Sequence, residues 1–132
     1  MNKIILKNKN VARIDQNAAA IYLTSLNSES GRRTMKQALN VCAGLLSHDA
    51  NAASFAWHEV RFQHVNAIRA KLTEVYSPAS VNKMLAALRG VLKSAWQLKQ
   101  MTGEDYQLAV SVKGVKGTTL PAGRELTQGE LS

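Results

Sequence analysis

Apolar residues recur at helical spacing along most of the chain, and they almost nowhere alternate as in a β-strand. The pattern is clearest from residue 78 to about residue 100, where apolar residues return every three or four positions and polar residues occupy the opposite side. Ser77 and Pro78 precede this stretch. The pair is typical of a helix start, because the first turn leaves unpaired the amide hydrogen that proline lacks. We therefore predict a long helix here.

The same spacing predicts three further helices and a short final turn. Their predicted limits are residues 15–26, 32–47 and 62–75, with the weak turn at 104–110. Asp15 can cap the first helix, and either Ser28 or Ser30 can cap the second. In the third helix the inward positions are predicted to be Phe62, Val65, Ile68, Leu72 and Val75. Residues 55–60 lack helical spacing and predict an extended link whose Trp57 fills the core.

These elements predict an all-α fold with three regions. Residues 1–13 mix lysine, asparagine and short aliphatic residues without a period, which predicts a flexible N-terminal arm. Residues 14–110 form the helical domain. Residues 111–132 contain several glycines, a proline and basic residues, and we expect them to form a flexible linker that leads into a further domain.

The charge of the chain narrows the class of partner. Seventeen Lys and Arg against nine Asp and Glu give a net charge of +8, which attracts polyanions. No acidic residue lies between Ser30 and His48 or between Val75 and Gly103, which are the windows of the second and fourth predicted helices. Solvated helices usually mix charges of both signs, whereas phosphate contacts favour stretches without carboxylates. Chance segregation remains the alternative explanation.

Small residues on these two helices strengthen the interpretation. Ala43, Gly44, Ala86 and Gly90 are expected to let the helix backbone approach a DNA groove closely. Arginine can bind phosphate or guanine, and asparagine can pair with adenine, so the residue types also suit DNA.

We find no catalytic or metal-binding motif in the sequence. Cys42 is the single cysteine and lies on an apolar helix face, so we expect it to be buried. His48, His58 and His64 lack the spacing of metal ligands, and His58 beside Glu59 is more typical of a surface pair than of a catalytic dyad. No cofactor is expected. No apolar run approaches the ~20 residues of a membrane span, so we expect a cytoplasmic protein without membrane contact.

Five segments, taken in order, resemble the core-binding domain of tyrosine recombinases and phage integrases. They are residues 20–26 (AIYLTSL), 30–35 (SGRRTM), 57–60 (WHEV), 77–89 (SPASVNKMLAALR) and 123–131 (GRELTQGEL). The last segment resembles the opening of the catalytic domain. The family usually has Asn-Pro after the fourth helix, where this chain has residues 103–106 (GEDY), so the geometry there is an open question.

The resemblance implies a SAM-like four-helix bundle that clamps duplex DNA together with its own catalytic domain downstream, with contacts between protomers on DNA. It implies that the second and fourth helices face the major groove. By position the implied DNA contacts are Arg32, Arg33, Thr34, Lys36, Asn82, Lys83, Arg89, Lys93, Lys113 and Lys116. Tyr22, Tyr76 and Tyr106 match no nucleophile motif, so this chain is expected to bind DNA without cutting it. The resemblance further implies a bacterial or phage-encoded, nucleoid-associated protein.

Two other classes of function fit the same sequence. One is a helical protein–protein adaptor that presents a basic face to an acidic partner. The other is a freestanding DNA- or RNA-binding regulator of helix-turn-helix type, although the long fourth helix lacks the tight preceding helix–turn pair of that motif.

Overall fold

A computed structural model of the chain describes residues 14–117; the predicted arm at 1–13 and the later part of the predicted linker, 118–132, lie outside this range. The five helices are α1 (Ala18–Thr24), α2 (Glu29–Leu46), α3 (Phe62–Val75), α4 (Pro78–Gln97) and α5 (Gly103–Val110). Short 3₁₀ turns lie at Ile14–Gln16 and Trp57–Glu59. Residues 14–117 contain no β-strand, so this part of the chain is all-α, as the sequence predicts.

Side-chain caps explain where four of the helices begin. Ser77 accepts a hydrogen bond from the amide of Ser80 at 3.3 Å, and Pro78 is the first residue of α4, which confirms the predicted start. Ser28 caps α2 through the amide of Gly31 at 2.9 Å. The cap of α1 is Asn17, so this helix begins three residues later than predicted from Asp15. Thr102 caps α5 in the same way.

Helix α4 lies at the centre of the described domain, because it packs against every other helix and against the turn at Trp57–Glu59. Its buried side is continuous from Val81 to Ala95. The largest fully buried side chains around it are Leu39, Ile68, Leu72, Leu85, Leu88, Leu92, Val60, Val81, Val91 and Cys42. Trp57 is buried beside them as predicted, and its indole nitrogen donates to the carbonyl of Ala52 at 2.9 Å. It lies in a 3₁₀ turn rather than in an extended link.

Several apolar residues are more exposed than their spacing predicts. The limits of α3 match the prediction, yet Phe62 is 46% and Val75 is 74% exposed. Both lie in terminal turns and off the centre of the stripe that Val65, Ile68 and Leu72 form, so neighbouring helices do not cover them. Trp96 in the last turn of α4 is 39% exposed and stacks on Tyr106, with ring centroids 5.1 Å apart.

The segment after α4, where the family pattern breaks, forms an ordered corner. Helix α4 ends at Gln97, and Lys99 takes the left-handed conformation with φ of 63°. The predicted weak turn is a two-turn helix, α5, which packs on α3 and α4. Asp105 near its start forms an ion pair with Arg61 at 3.4 Å. This ion pair and the stacked rings hold α5 in place against the bundle.

Candidate nucleic-acid interface

One side of α4 is exposed towards both of its ends, and the ring of Tyr22 covers it between them at Gly90. Its exposed residues form a surface that we call the open strip, and they are Ala79, Lys83, Ala86, Lys93 and Gln97. At 100° per residue these five positions fall within an arc of about 80°. Helix α4 contains no acidic residue, which confirms the predicted window for this helix. The open strip therefore carries positive charge alone.

Helix α1 borders the open strip on one side and interrupts it at Gly90, which lies on the same arc between Ala86 and Lys93. The ring of Tyr22 covers Gly90 so closely that a β-carbon added there would lie 2.7 Å from Cδ1 and 2.8 Å from Cζ of the ring. Burial raises the pKa of Tyr22 above its usual value of 10.0. Helix α1 contains no acidic residue. Gly90 thus makes room for α1, and the prediction that it lets DNA approach is wrong.

Residues 112–117 border the open strip on the other side. This segment, predicted to be a flexible linker, is hydrogen-bonded to α4 and α3 through residues 112–115. Arg89 Nη2 donates to the carbonyl of Val112 at 2.9 Å. The side-chain amide of Asn82 donates to the carbonyl of Val115 at 3.0 Å and accepts from its N–H at 2.7 Å. The segment is therefore part of the folded surface.

An arginine outside the predicted DNA contacts completes this docking. Arg69 of α3 donates from Nε to the carbonyl of Lys113 at 2.9 Å and from Nη2 to that of Gly114 at 3.3 Å. It lies more than forty positions away in sequence, so no periodic pattern marks it. The side chains of Lys113 and Lys116 are exposed. Residues 112–117 thus add two free cations beside the open strip.

The predicted DNA contacts on α2 divide into two kinds. Arg32 is half-buried and donates from Nη1 to the carbonyl of Leu26 at 2.8 Å, so it closes the turn before α2. Arg33 lies 3.6 Å from the carboxylate of Glu29. Because α2 begins at Glu29 rather than at residue 32, the helix is not free of acidic residues as predicted.

Two predicted contacts on α2 remain open to solvent, namely Thr34 and Lys36. Among the small residues, Ala43 is fully buried in the core, whereas Gly44 is exposed and has open space around it. The prediction that Ala43 faces DNA is therefore wrong. Helix α2 offers less free positive charge than its sequence suggests.

The other ionisable groups of residues 14–117 are not arranged as a recognisable active site. His58 and Glu59 are exposed and 3.9 Å apart, and His64 accepts a hydrogen bond from the amide of Arg61 at the start of α3. Burial raises the pKa of Cys42 to about 12, which keeps the thiol protonated at neutral pH. Among residues 14–117 no three His, Cys, Asp or Glu side chains are grouped as metal ligands. No helix within that range is both long and apolar enough for a membrane span.

Comparison of the chain with protein-family models, with curated proteins and with solved structures finds no match. Membership of the tyrosine recombinase family is therefore a proposal.

Proposed function

We propose that this chain is the DNA-binding domain of a site-specific tyrosine recombinase, with α1 to α4 as its SAM-like bundle. In this proposal the domain clamps duplex DNA during integration or excision, and cleavage belongs to a catalytic domain downstream. The observation that carries the proposal is the open strip of α4, whose two charged residues, Lys83 and Lys93, are both basic and which is bordered by two segments without acidic residues. The ordered series of family-like segments supports the choice of recombinase over other DNA-binding proteins.

The spacing of the two lysines on the open strip suits a DNA groove. Lys83 and Lys93 are ten residues apart, which corresponds to about 15 Å along a helix. The major groove of B-DNA is ~12 Å wide and admits a helix. The two ammonium groups could therefore reach phosphates on opposite sides of one groove, with Ala86 and the ring of Tyr22 between them. Lys113 and Lys116, beside the open strip, would reach the phosphate backbone of the same DNA duplex.

A titration of duplex DNA at several salt concentrations, followed by fluorescence anisotropy, tests the proposal. Each phosphate contact contributes roughly 0.9 to the slope of log affinity against log salt concentration. We expect Lys93→Glu and Lys83→Glu each to lower that slope by about 1 and to weaken binding at least tenfold. The circular dichroism of the helices should stay unchanged, because both side chains are exposed.

Lys71→Glu provides the matched control. Lys71 is exposed on α3, two positions after Arg69 and therefore about 160° around the helix from it. The same change in net charge at this position should alter affinity less than threefold. Equal effects of the substitutions at Lys71 and Lys93 would mean that net charge alone attracts DNA. A wild-type chain that does not bind duplex DNA at physiological salt would favour the alternative function of a protein–protein adaptor.

A further inference from the structure

We propose that Arg69, Asn82 and Arg89 form a cradle that positions residues 112–117 so that Lys113 and Lys116 extend the open strip. Asn82 and Arg89 are then positioning residues that act on DNA binding through the segment. This differs from the direct DNA contacts that the sequence predicts for them. The DNA-binding half of the inference rests on the proposed function, whereas the docking half does not.

The register of the hydrogen bonds shows an extended chain that runs antiparallel to α4. Val112 is bound at Arg89 and Val115 at Asn82, so three residues of the segment match seven residues of the helix. Seven helical residues rise about 10.5 Å, and three extended residues span about 10 Å. The two lengths agree, so the segment follows the helix without slack between these two positions.

Glycines lie where this segment comes closest to α4. A β-carbon at Gly114 would lie 2.6 Å from Oδ1 of Asn82, and one at Gly117 would lie 2.6 Å from Cβ of Pro78. Both distances are shorter than real β-carbons tolerate. Residues that look like linker glycines in the sequence therefore permit close docking. The segment is suited to this position by its own composition.

The hydrogen bonds of the cradle leave the positive charges of its two arginines available for DNA. Arg69 and Arg89 bind carbonyl oxygens, which are neutral, so these contacts do not cancel the guanidinium charges. With Lys113 and Lys116 on the docked segment, four cations lie together beside the open strip. Their mutual repulsion falls when a polyanion binds. DNA should therefore hold the segment more firmly in the cradle.

The docking half is tested without DNA, by amide hydrogen exchange measured by NMR. The N–H of Val115 donates to Asn82, so we expect it to be protected in the wild-type chain. Asn82→Ala should speed its exchange roughly tenfold or more, while amides in the middle of α4 keep their protection. Asn66→Ala on α3, where the asparagine is exposed, is the matched control and should leave Val115 unchanged. Unprotected Val115 in the wild-type chain would overturn the cradle.

The DNA-binding half is tested by the salt slope, because Asn82 is uncharged. Loss of a direct contact from a neutral side chain leaves the counterion slope nearly unchanged, whereas loss of two positioned lysines lowers it by up to about 1.8. We expect Asn82→Ala to lower the slope, and to weaken binding less than twofold further in a chain that already carries Lys113→Ala and Lys116→Ala. An unchanged slope with additive losses would identify Asn82 as a direct DNA contact and refute the inference. If the wild-type chain binds no DNA while Val115 is protected, the proposed function fails and the docking stands.

Discussion

Replacing Gly90 by alanine tests how α1 is held against α4. Two effects oppose each other: alanine favours a helix over glycine by about 0.8–1 kcal/mol, and overpacking a close contact costs about 1–3 kcal/mol. The added methyl group would lie 2.7 Å from Cδ1 and 2.8 Å from Cζ of Tyr22 and closer still to Cε1, and this ring is rigid rather than the end of a flexible side chain. The expected net change is a loss of up to about 2 kcal/mol in the free energy of unfolding.

Gly44→Ala is the matched control, because a β-carbon there meets nothing within 4 Å. It should gain about 0.5–1 kcal/mol, so that the two alanine variants differ by about 1–3 kcal/mol. For a domain of this size such a difference separates their Tm values by at least about 4 °C. Urea titration followed by tryptophan fluorescence gives the free energies, and calorimetry gives the Tm values.

A double-mutant cycle assigns the effect to the ring. In a Tyr22→Ala background the space is free, and Gly90→Ala should then stabilise the chain as Gly44→Ala does. A Gly90→Ala variant that is as stable as Gly44→Ala, but binds DNA less tightly than the wild type, would refute this reasoning. That outcome would restore the idea that Gly90 lets DNA approach α4.

Two further predictions concern single positions. Lys99→Gly should raise the free energy of unfolding by about 0.5–1 kcal/mol in urea titrations, because φ of 63° strains any residue with a β-carbon; Gln97→Gly, at a helical position, should instead lower it. Burial raises the pKa of Cys42 from 9.0 to about 12, so the unfolded chain loses the thiol proton first. The stability from the buried thiol is therefore complete below pH 9 and declines towards pH 12, by at most about 1.4 kcal/mol per pH unit. The advantage of the wild type over Cys42→Ala should accordingly shrink between pH 8 and 10.5, and a constant difference would contradict the shift.

Local signals in the sequence predicted the helices well. The Ser77-Pro78 start, the limits of α3 and the apolar stripe of α4 depend on neighbours within four residues, which the sequence displays directly. The wrong start predicted for α2 also depends on neighbours within four residues. Choosing Ser28 as the cap places Glu29 in the first turn, and thereby within ion-pair distance of Arg33.

The contacts of the candidate interface could not be predicted in this way. Asn82, Arg89 and Arg69 were recognisable as polar residues suited to DNA or to solvent, but their partners are backbone carbonyls 23 to 45 positions away. Every residue has a backbone carbonyl, so a contact with one requires no particular residue type and leaves no pattern in the sequence. The glycines at 114 and 117 were the available signal, and they are equally typical of a flexible linker.

If the proposed function is correct, we expect the centre of DNA binding at one helix and a docked segment rather than at two helices. Of the two arginines predicted on α2, Arg33 lies beside the carboxylate of Glu29, which would compete with a phosphate for the same guanidinium. Arg32 keeps its charge, but its side chain is half-buried and is held at the carbonyl of Leu26 in the turn before α2. Lys83 and Lys93 on α4 have exposed side chains on a helix without acids. Phosphate affinity depends on charges that are free to release counterions rather than on the total number of basic residues. If the chain binds DNA, the free lysines beside α4 should therefore dominate the salt dependence, and the arginines of α2 should contribute less than their number suggests.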